Sequence, residues 1–303
     1  RTKMKILALV LLLSAFSSLT LMEVVNDFSS PRCSAFFIKN RNHIITPTVL
    51  KGNQYKRICQ HWENEYRFAT LYDTKNRIPV YSAYTYYGKD PPGRENVPWK
   101  NEPQLESRSY HIDMKEITDA EMDEYYNQAV NRDYKDSKRN TNPKYTRGHV
   151  FPCGYAADQF QADSTFTFTN VAPQTQHSNE EWAEQVEMPM KNEIINRCSP
   201  TINNPTYIVT GVVPGNKWIP IKGKINNNYK TINKGVNIPS YYWIAFCCVN
   251  DNVKKKAYLF LQNPPDDRTY EFTEMSVDRL NVQLTRLYEG SLPKQNFKVF
   301  GDL

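Results

Sequence analysis

The sequence predicts an α+β domain, and three observations carry that prediction. Residues 67–72 and 78–86 are β-prone runs rich in Tyr, Val and Thr, separated by Asp73-Thr74-Lys75-Asn76, a hairpin signal. Apolar runs at 207–213, 241–249 and 257–261 read as strands of a buried sheet. Val277, Leu280, Leu284 and Leu287 instead keep helical spacing up to Gly290, marking a C-terminal helix.

Taken in order, the chain opens with Met4-Lys5, the apolar run 6–16 and then Ser17, Ser18 and Thr20. This is the pattern of a secretory signal peptide, too short to span a bilayer. Residues 1–22 are read as a leader with a short upstream remnant, and 23–303 as one domain without a membrane span, bound for the extracellular space. Residues 88–103, rich in Pro and Gly, are read as a surface loop. Thr118 with Glu121 forms a capping box expected to open a helix to about Val130, and 131–144 reads as a mobile excursion. Residues 165–169 are expected to form a short strand. Ser178 with Glu181 predicts a helix from Asn179, kinked or shortened by Pro189.

Six cysteines (33, 59, 153, 198, 247 and 248) make disulfides the default for an exported chain, and spacing alone does not choose the pairing. Cys247 and Cys248 are neighbours on one strand and point to opposite faces, so a free buried thiol is open for one of them. No Cys-x-x-Cys clamp suggests a thiolate zinc site. The formal charge of +6 falls to +3 once Arg1, Lys3 and Lys5 are set aside. That excess permits a polyanionic partner without requiring one, so function has to come from motifs.

Two segments carry chemistry. In Tyr145-Thr146-Arg147-Gly148-His149-Val150-Phe151-Pro152, Arg147 and His149 share one face if the chain is extended, and Gly148 permits close backbone approach. A neutral imidazole is a competent base near neutral pH. In the second, Phe168-Thr169-Asn170-Val171-Ala172-Pro173-Gln174 precedes Asn179, Trp182 and Glu187. Asn and Glu supply hard oxygens suited to Mg²⁺, which keeps most of its water. Eight residues separate Asn179 from Glu187, roughly 12 Å along a helix, so Asn179 is read as the direct metal ligand and Glu187 as orienting the water shell. Asn179 is also read as lying at a helix N-terminus, which favours a phosphate. Trp182 is read as a core anchor, and His177 as a helix-entry residue.

Together Arg147-Gly-His149, Asn170-Val-Ala-Pro-Gln174, Asn179 and Glu187 resemble the DNA/RNA non-specific endonuclease family, the ββα-metal nucleases whose usual signature is Asp-Arg-Gly-His. Residues 77–84, 147–152, 181–187 and 235–248 are similar to a secreted branch of that family. The resemblance runs from about Arg67 to Leu287 and implies a largely antiparallel six-stranded central sheet flanked by helices. It also implies DNA and RNA as substrates and one Mg²⁺, with Mn²⁺ as a substitute. His149 falls on the general base, Asn179 on the metal ligand, Asn170 and Glu187 on supporting polar groups, and Arg147 on the phosphate-binding arginine. Thr146 stands where the family has Asp, and Lys191 where an Arg is expected. Those departures leave open a nucleic-acid-binding module without turnover. A phosphodiesterase for small diesters is a third reading.

Overall fold

The computed structural model describes residues 23–41, 43–89, 96–225, 228–249, 254–262, 272–301 and 303. The leader predicted at 1–22 lies outside the described residues. In chain order the strands and helices are β1 (Val24–Val25), β2 (Ile38–Asn40), β3 (His43–Ile45), β4 (Tyr55–Trp62), β5 (Glu65–Asp73), β6 (Ile78–Tyr86), α1 (Pro103–Glu106), α2 (Asn131–Asn140), β7 (Tyr145–His149), α3 (Gln159–Ser164), β8 (Val171–Thr175), α4 (Gln176–Trp182), α5 (Met188–Cys198), β9 (Thr206–Val213), β10 (Lys217–Ile225), β11 (Asn228–Ile238), β12 (Tyr241–Cys248), β13 (Lys254–Leu261), β14 (Phe272–Met275) and α6 (Val277–Leu287).

One antiparallel sheet organises them, in the order β1-β4-β5-β6-β9-β12-β13-β14. The six inner strands have eight or nine residues each, as the six-stranded expectation requires, and the short edges β1 and β14 bring the total to eight. The hairpin expected around 73–76 is present: Asp73 pairs with Ile78, and its carboxylate accepts the N–H groups of Lys75 and Asn76 at 2.9 and 3.1 Å.

Strand alternation divides the interior into two cores, one on each face. On β12, Tyr242, Ile244, Phe246 and Cys248 face a core shared with Phe151, Phe168, Trp182, Val186 and Ile194. Trp243, Ala245 and Cys247 face the other core, closed by Leu280 and Leu284 of α6 and by Phe297 and Phe300. Gly211, cross-strand from Trp243, has no alternative there, because a Cβ would lie 2.4 Å from the indole. The same parity settles the cysteines: Cys248 bonds Cys198 on α5, Cys247 stays a free buried thiol, Cys33 bonds Cys59, and Cys153 is also free and buried.

Five local expectations are corrected. The box at Thr118 and Glu121 forms, with Thr118 N–H donating to the Glu121 carboxylate at 2.8 Å, yet only a 3₁₀ turn over Glu121–Glu124 follows. The N–H groups of Tyr126 and Asn127 go instead to the Glu106 carboxylate at 2.9 and 3.1 Å, which withdraws them from any helix. The helix comes later, as α2, in the segment expected to be mobile. The Asp133 carboxylate accepts the Val130 N–H at 2.9 Å, and Tyr134 is buried beneath it. Residues 165–169 form no strand: Thr167 makes one bridge to Lys100, and the hydroxyls of Thr167 and Thr169 donate to the buried carboxylate of Glu102, each at 3.0 Å. Finally, α4 starts three residues before Asn179, capped by Thr175, whose hydroxyl accepts the Ser178 N–H at 3.2 Å. Pro189 does not end the rod. A π-turn over Ala183–Glu187 precedes it, and Pro189 then sits in the first turn of α5, where no N–H is required.

Candidate active site

The site is built on a second, two-stranded ribbon. β7 pairs antiparallel with β8, with Arg147 opposite Pro173, Gly148 opposite Ala172 and His149 opposite Val171, and α4 follows β8 at once. The Tyr242 hydroxyl on the main sheet reaches the carbonyls of both Gly148 and Ala172 at 3.2 Å, fastening this ββα unit to the sheet. Gly148 is required by packing, since a Cβ would lie 1.8 Å from Oε1 of Gln174, whose amide is held by Gln262 at 2.8 Å.

Arg147 and His149 do share a face, because the indole of Trp99 touches both. The His149 ring, half-buried, lies 5.6 Å from Trp99 and 4.9 Å from Phe166, edge-on to the latter. The Arg147 guanidinium lies over Trp99 at 4.8 Å, Tyr134 at 5.5 Å and Phe168 at 5.7 Å. One Nη donates to the Asn131 side chain, while Nε is buried with no acceptor. Burial pulls the Arg147 pKa down, and the Tyr134 hydroxyl opposes that shift. The result is a largely desolvated cation, a setting that strengthens the pull of its exposed edge on an anion.

Asn170 is fully buried and all its hydrogen-bonding positions are used. Oδ1 accepts from Phe151 N–H and Ser82 Oγ, each at 2.9 Å, and Nδ2 donates to the carbonyls of Phe151 and Thr165, each at 3.0 Å. Its backbone carbonyl accepts the Val150 N–H at 2.8 Å. Asn170 therefore clamps the loop leaving His149 to β6. It is a positioning residue.

Asn179 is half-buried on the second turn of α4, not at the helix start, so its own N–H lies inside the helix. The π-turn matters here. Eight residues of unbroken α-helix would rotate Glu187 about 80° away from Asn179, whereas one inserted residue brings the pair to within about 20° of one stripe. The Glu187 carbonyl accepts the Tyr155 hydroxyl at 2.6 Å, and its negative charge adds to burial in raising the pKa values of Tyr84, Tyr155 and Tyr242.

A family model described as DNA/RNA non-specific endonuclease matches residues 49–293. The chain belongs to that family. It is 34% identical over 221 residues to the endonuclease domain-containing 1 protein of Homo sapiens, covering 71% of this chain and 38% of that protein. The Mus musculus protein of the same name is 31% identical over 224 residues, with the same shares. The chain thus spans well under half the length of these relatives. Among solved structures it is similar to a chain of the crystal structure of the EndoG/EndoGI complex, with a TM-score of 0.48, 16% identity and coverage of 77% of this chain and 85% of that one.

Of the endonuclease family's expected positions, Arg147, His149 and Asn170 converge at the end of the β7–β8 ribbon where His149 pairs with Val171, and Asn179 and Glu187 lie along the adjoining rod. The departures from the family pattern have local roles: the Thr146 hydroxyl donates to the Gln174 carbonyl at 3.0 Å, across the ribbon, and the Lys191 ammonium donates to the Gly154 carbonyl at 2.9 Å. Among the described residues no group of three or more His, Cys, Asp or Glu side chains could hold a metal. What the ββα unit offers is a carboxamide and a carboxylate on one stripe, a sparse set of hard oxygens that fits a largely hydrated Mg²⁺. Sequence reasoning missed Trp99, Asn131, Tyr134 and Phe166, and gave Phe168 no role. Only the alternation Phe166-x-Phe168 just before Asn170 hinted at any of them.

Proposed function

We propose that this endonuclease-family chain hydrolyses phosphodiester bonds of DNA and RNA with little sequence preference, with Mg²⁺, or Mn²⁺ in its place, as cofactor. The observation that carries the proposal is the shared placement, against one indole, of an imidazole and of a guanidinium with no ion pair among the described residues, beside a helix bearing hard oxygen donors. A proton acceptor, an anion seat and a metal face are the three requirements of phosphodiester hydrolysis.

In this reading the Arg147 guanidinium, which is only part-buried as a whole, takes a non-bridging phosphate oxygen. Trp99 and Phe166 fix the imidazole plane, and His149 removes a proton from the attacking water. Asn170 holds the backbone that aims His149 and contacts no substrate. Asn179 would ligate the cation directly and Glu187 through water; when bound, Mg²⁺ supplies positive charge for the phosphorane oxygens and the leaving oxygen. The disulfides Cys33–Cys59 and Cys198–Cys248 accord with export to the extracellular space after removal of residues 1–22, with the catalytic domain within 23–303. No described helix is long and apolar enough to cross a membrane.

The test is purified protein on supercoiled plasmid and on single-stranded RNA. Cutting of both in Mg²⁺, silence in EDTA and recovery on adding back the ion are expected. Binding without nicking, in Mg²⁺ and in Mn²⁺ alike, would replace this reading with that of a nucleic-acid-binding module.

A further inference from the structure

The ribbon formed by β10 and β11 takes no part in the chemistry above, yet its charge is one-sided. From Ser199 to Cys248 the chain has no Asp, Glu or Arg and five lysines, Lys217, Lys222, Lys224, Lys230 and Lys234, whereas the chain average would put about five acidic residues there. All five lysines are exposed, and none makes an ion pair among the described residues. The Asp123 carboxylate, whose pKa Lys224 helps to lower, is already engaged by Arg132 and by the Tyr229 hydroxyl.

Placement gives the charge a direction. The ribbon root is tied to the main sheet, with Asn237 N–H donating to the Asn76 carbonyl at 2.9 Å and Arg77 to the Gly235 carbonyl at 3.0 Å. β11 packs on β8, and β10 packs on α2, the helix that supplies Asn131 and Tyr134 to the Arg147 seat. The row from Lys217 to Lys224 spans about 24 Å along β10, long enough to meet several phosphates of one strand.

We infer that the β10–β11 ribbon is a docking arm for the phosphate backbone of a polynucleotide, engaging the duplex away from the scissile bond. The inference rests on the function proposed above and extends it: an arm reading only phosphate charge gives affinity without sequence preference.

The test is binding of a 30-base-pair duplex to the full chain in EDTA, followed by fluorescence anisotropy across a salt series. Three proteins are compared: the wild type, the arm variant Lys224→Gln/Lys230→Gln/Lys234→Gln, and a control of equal charge, Lys39→Gln/Lys51→Gln/Lys294→Gln. These six side chains are exposed. If all three arm lysines touch phosphate, the slope of log K against log salt becomes shallower by about 2.7 for the arm variant and stays near wild type for the control. Equal slopes for the arm and control variants, in a wild type that binds and nicks DNA, overturn the docking arm alone. A wild type that neither binds nor cuts nucleic acid overturns the functional reading along with it.

Discussion

Replacing Asn170 with Ala removes the clamp on the His149 loop while leaving the rest of the site chemically intact. Four hydrogen bonds of 2.9 to 3.0 Å disappear in a place with no solvent exposure. Ser82 Oγ keeps the Thr70 hydroxyl at 3.0 Å, so its loss is small. The Phe151 N–H and the carbonyls of Phe151 and Thr165 each lose a partner. An orphaned buried donor costs about 1–3 kcal/mol and a carbonyl with a second lone pair costs less, so the total is roughly 3–4 kcal/mol. In a domain of this size that lowers the melting temperature by roughly 10 °C. Differential scanning fluorimetry reads the shift, and amide exchange should show Phe151 N–H protected in the wild type and open in the variant. Cleavage should fall with the order of the loop, even at temperatures where the variant is folded. A shift under about 2 °C, with Phe151 still protected, would mean that water fills the space without loss and that the clamp does not exist.

Arg147→Met should separate stability from function, because the guanidinium is desolvated without an acid: melting stays within a few degrees while plasmid cleavage drops about a hundredfold, as measured by thermal scan and single-turnover rate. The Asp133 carboxyl is pushed up to about 6 by burial, above its unfolded value, so its contribution is complete below the unfolded pKa and is lost as pH rises through about 6. Buried Glu102 and Glu23 shift in the same direction, so melting temperature should decline between about pH 4.5 and 7, and Asp133→Asn should flatten part of that decline. The Cys198–Cys248 bond closes a span of 50 residues and ties α5 to the sheet. Chain entropy assigns it about 4 kcal/mol, so the Cys198→Ser/Cys248→Ser variant should melt well below the wild type in urea titration, and an unchanged midpoint would contradict that assignment.

What the sequence shows of this fold follows from the range of the interactions. The 73–76 hairpin, five of the six inner strands and α6 were legible because periodicity and turn chemistry act over a few residues, whereas β4 went unread. The failures share one cause, a long-range hydrogen bond or ring contact that overrides a local signal. The Thr118–Glu121 box is sound, but Glu106 claims the next amides; the β-branched 165–169 stretch turns its hydroxyls to Glu102 instead of joining a strand. The candidate site divides the same way. Arg147, His149 and Asn170 sit in two short segments paired by one ribbon, whereas Trp99 reaches them from a loop with no pattern of its own. The π-turn that aligns Asn179 with Glu187 left only Pro189 as a trace in the sequence.

The most direct test of the central claim is a single-turnover comparison of wild type and His149→Ala on plasmid DNA in Mg²⁺, each also with added imidazole. Loss of a positioned base costs about a hundred- to ten-thousandfold, so the variant should be slower by that factor, melt like the wild type and regain rate as imidazole is raised. A His149→Ala protein that nicks plasmid at the wild-type rate would show that proton removal occurs elsewhere.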